Sequence, residues 1–215
     1  MTRYPSSETS YTFGSVTVVL PLPDAAAVQT DYLMRQTSSP AAFPYWSKVW
    51  PAAIGLCRFL AANPAYVSGR QVLELAAGLG LPSLLAARWA SQVVCSDLEP
   101  AATHFAAQAA VLNGLTNFRA ETIDWSQVPP ELKPEVLLLS DINYDPETFE
   151  QLFGVLIHFL KNGCTIILST PQRLAAKPFI ERLLSYCTLS ATEMIAEQGD
   201  ATFVSVYVLA YEQKL

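Results

Sequence analysis

The 215-residue chain is poor in charge, histidine and cysteine. Only 15% of its residues are Asp, Glu, Lys or Arg, two are His and four are Cys. The cysteines are widely spaced and form no C-x-x-C pair, which excludes the usual zinc-ligand sets and a disulfide framework. We expect buried, reduced thiols and no metal. The net charge of −6 argues against a basic face that binds nucleic acid.

Long apolar runs are also missing. Although 51% of the residues are hydrophobic and the mean hydropathy is +0.26, these residues fall in short runs that do not reach the length of a bilayer span. The first ten residues lack the apolar core of a signal peptide. We therefore expect an ordered, monomeric, cytoplasmic protein that binds neither membrane nor nucleic acid. Its charge favours a small molecule or a basic protein as partner.

The stretch from Val72 to Leu85 is the most informative in the chain. It has the pattern of a buried strand that stops at Gly78 and Gly80 and turns directly into a helix. Such a turn presents backbone N–H groups and the positive end of a helix at one point, where a nucleotide-like cofactor binds. Glu74, inside the strand end, would repel a dinucleotide pyrophosphate and suits a cofactor with a cationic amino group. The pattern therefore favours S-adenosylmethionine over NAD.

Strand and helix patterns alternate regularly from Gln71 onward. Five β-then-α steps begin with strands predicted at 71–76, 92–97, 117–123, 136–140 and 164–169. Two further apolar runs, 188–196 and 202–211, face each other across Gln198-Gly199-Asp200, a hairpin signal. The pattern predicts an α/β fold, a doubly wound, mostly parallel, seven-stranded sheet with a C-terminal antiparallel hairpin. A dinucleotide-binding fold would continue with parallel units instead.

Residues 1–40 are predicted to form an N-terminal extension, and residues 41–215 the main domain. Alternation of apolar and polar residues over 11–22 predicts a small β-ribbon in the extension. A short helix is placed near 25–34. Proline and glycine punctuation predicts further helices at 52–62, 81–90, 100–113, 146–161 and 173–186.

Polar and aromatic residues follow successive predicted strands, and ligands of open α/β sheets bind beyond the carboxyl ends of the strands. Asp97 ends the second strand, where a carboxylate commonly binds ribose hydroxyls. Asp124 can accept a hydrogen bond from an adenine amino group, and Trp125 can cover the ring. Taken singly, Asp97 is as well explained as a helix N-cap and Trp125 as a core aromatic. Their order favours the cofactor interpretation, whereas Trp46 and Trp89 are interpreted as packing residues.

These motifs resemble those of class I S-adenosylmethionine-dependent methyltransferases. More narrowly, the chain resembles the small protein-lysine methyltransferases related to nicotinamide N-methyltransferase-like proteins, over about residues 40–185. The resemblance rests on the Val-Trp-x-Ala-Ala helix start at Val49-Trp50-Pro51-Ala52-Ala53, the cofactor loop Glu74 to Gly80, Asp97, Trp125 and the Asp-x-x-Tyr signature at Asp141-Ile142-Asn143-Tyr144. It implies an N-methyltransferase that converts S-adenosylmethionine to S-adenosylhomocysteine, with a protein lysine as the acceptor.

The resemblance also implies which residues bind the cofactor. They are Trp50 at the start of the predicted helix, Ser140 at the end of the fourth predicted strand, and five residues of the loop: Glu74, Ala76, Ala77, Gly78 and Gly80. Ala76 departs from the pattern, because it replaces the first loop glycine. A methyl group at that position fits only if the local φ is negative.

Two residues of the Asp-x-x-Tyr signature are the predicted catalytic residues. The resemblance implies that Asp141 orients the acceptor amine and takes its proton, while Tyr144 lines the channel. A lysine amine, with an ordinary pKa of about 10.4, must be neutral to attack, and desolvation lowers that pKa. Alternatively, Asp141 only contacts the methionine end of the cofactor. A small-molecule N-methyltransferase of the same fold and a module that binds the cofactor without catalysis stay open as functions.

Overall fold

The computed structural model describes residues 4–38, 42–197 and 200–211. Within these ranges the strands form two sheets. In chain order they are β1 (Ser6–Phe13), β2 (Val16–Pro23), β3 (Gln71–Leu75), β4 (Gln92–Asp97), β5 (Phe118–Thr122), β6 (Val136–Ser140), β7 (Thr165–Pro171), β8 (Cys187–Glu197) and β9 (Asp200–Leu209).

The larger sheet has the strand order β5-β4-β3-β6-β7-β9-β8. Its first five members are parallel, and β9 is antiparallel to both β7 and β8. The predicted α/β fold, with a mostly parallel seven-stranded sheet and a C-terminal antiparallel hairpin, is therefore confirmed. The turn signal at 198–199 lies outside the described residues.

The α-helices cover both faces of this sheet. They are α1 (Ala25–Gln36), α2 (Pro51–Ala62), α3 (Leu81–Ala86), α4 (Pro100–Leu112), α5 (Phe149–Lys161) and α6 (Lys177–Leu183). The expected five β-then-α steps are corrected to four. After β5 the chain forms only a 3₁₀ turn, Trp125–Gln127, because the prolines that follow it, Pro129, Pro130 and Pro134, lack the N–H groups that a helix interior needs.

The central strands are apolar along their whole length. The residues Val136 to Leu139 of β6 are all fully buried, as expected of a parallel strand covered on both faces. Helix α2 lies close against β9, since a Cβ added at Gly55 would come within 2.7 Å of Cγ1 of Val204. Across the described ranges, no helix combines the length and the apolar character that a membrane crossing requires.

The N-terminal hairpin β1–β2 and α1 pack onto the main domain. Val18 and Leu20 of β2 are fully buried in the same hydrophobic cluster as the residues of α2, α3 and α4. The Asn113 side chain, just past α4, accepts a hydrogen bond from the Val19 N–H (3.0 Å) and donates one to the Val19 carbonyl (2.6 Å). The predicted boundary between extension and main domain, at residues 40 and 41, lies outside the described residues.

Candidate active site

A cavity of about 550 Å³ opens at the carboxyl ends of β3, β4 and β6. It lies where the strand order reverses, between β3 and β6, which is the usual ligand position in such sheets. All but two of the predicted site residues line it: Trp50, Ala76, Ala77, Gly78, Gly80, Asp97, Trp125, Ser140, Asp141 and Tyr144. Glu74 and Asp124 are not among the lining residues.

The loop between β3 and α3 passes three times through the left-handed region. The φ angles are 51° at Ala76, 56° at Gly78 and 75° at Gly80. A Cβ at Gly80 would lie 2.7 Å from Sγ of Cys95, so no larger residue fits there. The expectation that Ala76 requires a negative φ is wrong. The loop holds this alanine in a conformation that costs a non-glycine residue about 1–2 kcal/mol.

Glu74 lies beneath this loop and is fully buried. Its Oε2 accepts hydrogen bonds from the Ser83 N–H (2.9 Å) and the Ser83 hydroxyl (2.5 Å), and the Ser140 hydroxyl lies 3.5 Å from Oε1. Burial raises the pKa of Glu74 from 4.5 to about 8, although these hydrogen bonds lower it in part. The expectation that a charged Glu74 faces the cofactor is therefore corrected. At neutral pH it is a protonated residue that joins β3 to α3 and β6.

Asp97 connects the loop to the start of α4. Its Oδ2 accepts a hydrogen bond from the Gly78 N–H (2.8 Å) and its Oδ1 one from the Glu99 N–H (2.9 Å). The N-cap of α4 is Glu99, whose side chain accepts from the Ala101 N–H, so the interpretation of Asp97 as that cap is wrong. Burial raises the pKa of Asp97, while the two N–H groups lower it. The side chain stays on the cavity wall.

Asp124 makes a local hydrogen bond just after β5. Its Oδ1 accepts a hydrogen bond from the Ser126 N–H (2.8 Å) and caps the 3₁₀ turn that follows. The side chain is not among those that line the cavity, and its contact with an adenine amino group stays a prediction. Trp125, the next residue, does line it and packs against the hydrophobic cluster beside β6.

The other end of the cavity is formed by the segment after β6. Asp141 has a φ of 58°, and its side chain is 10% exposed. Both carboxylate oxygens accept hydrogen bonds from the Arg173 guanidinium, with 2.8 Å between Nη2 and Oδ2. The ring of Tyr144 lies 5.2 Å from that of Tyr45. Partial burial and, next, the neighbouring Tyr45 raise the pKa of Tyr144, so its phenol is protonated.

Several lining residues were not predicted from the sequence. Arg173 follows the end of β7, so the strand-end rule, extended to the fifth parallel strand, would have found it. Trp46, predicted to be a packing residue, is buried against the Phe105 ring and also lines the cavity. A wall from α1 and the segment after it had no sequence signal, because it depends on how the extension docks: Asp31, Tyr32, Arg35, Phe43, Tyr45 and Lys48.

Neither a metal nor a thiol nucleophile is indicated at this site. Among the described residues, no group of three His, Cys, Asp or Glu side chains is placed to hold a metal ion. Burial raises the pKa of the Cys57 and Cys95 thiols, and that of Cys164 to about 12. These thiols are therefore protonated, and a protonated thiol is a poor nucleophile.

Comparisons with known proteins agree with this geometry. The sequence model of a family described as lysine methyltransferase matches residues 44–185. The human histone-arginine methyltransferase METTL23 is 29% identical over 164 residues, which cover 71% of this chain and 84% of that protein. The mouse electron transfer flavoprotein beta subunit lysine methyltransferase is 30% identical over 136 residues, 62% of this chain and 53% of that protein. The chain thus spans about half the length of this second relative.

A solved structure shows the same fold. The magnesium protoporphyrin IX methyltransferase from Synechocystis, crystallised with S-adenosylhomocysteine, superposes with a TM-score of 0.57 and covers 85% of this chain and 94% of its own. The two sequences are 16% identical. At this identity the likeness concerns the fold alone.

Proposed function

The chain belongs to the lysine methyltransferase family, whose sequence model matches residues 44–185, and we propose that it transfers a methyl group to a lysine side chain of a protein. Methyl transfer from S-adenosylmethionine follows from the family and the fold. The choice of a basic side chain as acceptor is carried by one observation. The recessed carboxylate of Asp141 shares a cavity with Tyr45 and Tyr144, two residues that are 47% and 52% exposed.

The residues at the β3–β4 end fit the cofactor. Each carboxylate oxygen can accept two hydrogen bonds, so Asp97 can still bind two ribose hydroxyls besides the Gly78 and Glu99 N–H groups. Trp125 offers an aromatic face, and the protonated Glu74 adds no negative charge beneath the loop. When bound, S-adenosylmethionine supplies a methyl group on a positively charged sulfur.

The rings at the mouth suit a cationic side chain. The ring of Tyr45 lies 5.9 Å from that of Trp50, and 5.2 Å from that of Tyr144. The Lys48 Nζ lies 3.7 Å from the Trp50 ring centroid, so one of these ring faces already holds a cation. Aromatic faces attract ammonium and guanidinium groups by about 0.5–2 kcal/mol. A lysine or arginine side chain can therefore bind along these rings toward Asp141.

Asp141 and the rings then have separate tasks. The rings exclude water from the acceptor nitrogen, and this desolvation favours its neutral, nucleophilic form. Asp141 accepts a hydrogen bond from the nitrogen and takes the proton that the ammonium loses before its lone pair attacks the methyl carbon, and S-adenosylhomocysteine leaves as the C–S bond breaks. Tyr144, protonated at neutral pH, limits access at the solvent side.

Arginine is the second candidate acceptor, and one contact favours it. Asp141 binds the Arg173 guanidinium through two hydrogen bonds, a geometry that an ammonium group cannot reproduce. The human relative is named as a histone-arginine methyltransferase. A small-molecule acceptor is less well supported, because the aromatic mouth is open to solvent.

Incubation with labelled S-adenosylmethionine and a cell lysate tests the proposal. We expect label in protein, recovered after acid hydrolysis as methyl-lysine, and far less label with the Asp97→Ala variant. Methyl-arginine in the hydrolysate would establish the second candidate. Label confined to small molecules would overturn the protein acceptor, and cofactor binding without any labelling would identify a non-catalytic module.

A further inference from the structure

The guanidinium of Arg173 occupies the place that a basic acceptor needs. It binds both carboxylate oxygens of Asp141 inside the cavity. An acceptor nitrogen that is to be oriented by Asp141 must use the same oxygens. A lysine or arginine side chain and Arg173 are therefore alternative partners of one carboxylate.

We propose that Arg173 is an internal competitor of the methyl acceptor. In the free enzyme it holds Asp141, and a basic side chain gains the carboxylate only by displacing it. This inference rests on the proposed function in one respect, namely that the acceptor is a cation. Beyond the proposed function, the inference gives Arg173 a role: it sets the affinity of the enzyme for every basic acceptor.

The surroundings of Arg173 allow its side chain to leave without moving the fold. The side chain is 36% exposed, and the next residue, Leu174, is 91% exposed. In the described part of the chain, the hydrogen bonds of the guanidinium all go to Asp141. The backbone just before it is fixed, because the Gln172 N–H donates to the Phe203 carbonyl at 3.0 Å. The guanidinium can therefore turn into solvent from a fixed base.

The segment that Arg173 holds has two uncommon features of its own. Asp141 has a left-handed φ of 58°, a conformation uncommon outside glycine although Asp and Asn adopt it more readily than other residues. Asn143 is fully buried, and neither its Oδ1 nor its Nδ2 has a hydrogen-bond partner among the described residues. Buried amides are nearly always satisfied. The ion pair thus helps to hold a resting arrangement, and its release frees residues 141–144 to readjust around the acceptor.

The competition has a defined consequence for selectivity. Breaking the Arg173–Asp141 pair costs the same whichever cation replaces it. Removing Arg173 must therefore strengthen the binding of ammonium and guanidinium acceptors by the same factor. Any preference between lysine and arginine resides in Asp141 and the rings, and it is unchanged when Arg173 is removed.

Arg173→Met and Arg173→Lys test the proposal, with Arg182→Met as the matched control. Arg182 also forms a bidentate pair, with the exposed Glu150, but does not line the cavity. Dissociation constants of methylguanidinium and methylammonium are measured by NMR titration of the S-adenosylhomocysteine complex, and KM and kcat on a basic peptide. We expect Arg173→Met to lower both dissociation constants and KM by about 5- to 10-fold. Arg173→Lys should fall between, and Arg182→Met should match the wild type.

Two results would overturn the inference. One is unchanged or weaker binding of both probes by Arg173→Met; the other is a tenfold lower kcat at unchanged KM, which would make Arg173 a positioning residue for Asp141. Arg173→Gln replaces the methionine variant if thermal melting shows that the latter is unfolded. The probe titration needs no turnover. If the wild type methylates no protein, the proposed function fails, and the titration still decides the role of Arg173.

Discussion

The two ends of the cavity are built in opposite ways. At the β3–β4 end, both carboxyl groups have hydrogen-bond partners: Glu74 accepts from Ser83, and Asp97 accepts from two backbone N–H groups. At the β6 end, Asn143 is buried without a partner among the described residues, and Asp141 is held by a partly exposed arginine. The first end is organised before any ligand arrives. At the second end, Asp141 has to exchange Arg173 for the acceptor when the acceptor binds.

This difference separates two kinds of recognition. A fixed loop binds one cofactor at little conformational cost, since the donors and acceptors already have their positions. Every acceptor that binds Asp141 must offset the free energy of breaking its ion pair with Arg173. Side chains presented by a well-fitting protein substrate therefore bind this carboxylate most readily.

The largest expected effect concerns the acceptor end. Asp141→Asn removes the proton acceptor, and we expect kcat to fall by about 10²–10⁴-fold while most of the cofactor affinity remains. Kinetics on a basic peptide and calorimetry with S-adenosylhomocysteine measure both quantities on one protein. Glu147→Gln, an equal change of charge at an exposed residue nearby, is the control. Weaker cofactor binding with unchanged turnover at saturation would assign Asp141 to the cofactor end.

At the cofactor end, Asp97→Ala is expected to weaken S-adenosylhomocysteine binding by about 10- to 100-fold. It removes charge-assisted hydrogen bonds worth roughly 1.5–3 kcal/mol and releases the Gly78 N–H. Asp124→Ala is the matched control and should leave the affinity nearly unchanged, because Asp124 caps its own turn and is not among the residues that line the cavity. Calorimetry measures the affinity of each variant for S-adenosylhomocysteine, and we expect no heat of binding with NAD. Equal losses in the two variants would contradict the assignment of Asp97.

The buried carboxyl group of Glu74, beneath the cofactor loop, is expected to make the stability of the protein depend on pH. Burial raises its pKa to about 8 in the folded protein from an ordinary 4.5. Between these values the native state binds a proton that the unfolded state lacks, so stability falls as the pH rises, by up to about 1.4 kcal/mol per unit. Glu74→Gln, which imitates the neutral form, should flatten this slope in urea unfolding between pH 5 and 8. A slope equal to that of the wild type would mean that Glu74 is ionised in the fold.

The smallest effect is at Ala76. Ala76→Gly relieves the left-handed strain and should raise the free energy of unfolding by about 0.5–1 kcal/mol, or the Tm by about 1–3 °C. Ala77→Gly is the control and should lower the free energy of unfolding. Ala77 is not at a positive φ, so a glycine there relieves no strain and only raises the conformational entropy of the unfolded chain. Differential scanning calorimetry measures both. Destabilisation by both variants would show that the Ala76 methyl group makes a contact that outweighs its strain.

Much of the architecture was predictable because its signals are local. Strand periodicity and proline and glycine punctuation predict the sheet, and the strand-end rule then brings Asp97, Ser140 and Asp141 to one edge. The direction of Glu74 was not predictable. It lies in a strand buried on both faces, where alternation gives no sign of which side a residue takes.

Two further residues show where sequence reasoning ends. The bond from the Ser126 N–H to Asp124 is local to its turn, but it was not predicted from the sequence. The Arg173–Asp141 pair joins residues 32 positions apart and depends on how the loop after β7 is placed. The α1 wall depends in the same way on docking of the extension, which no local pattern encodes.

The position of β9 has a consequence for how the protein is made. β9 follows β8 in the chain but lies between β7 and β8 in the sheet. On the ribosome, β8 emerges before β9, the strand that joins it to β7 in the described sheet. Until Leu209 has left the tunnel, one edge of β7 stays open, with Ile166 to Leu168 as its apolar centre. We expect the nascent chain to carry this unpaired edge from the emergence of β7 until β9 pairs with it, and a chaperone would protect the edge during that interval.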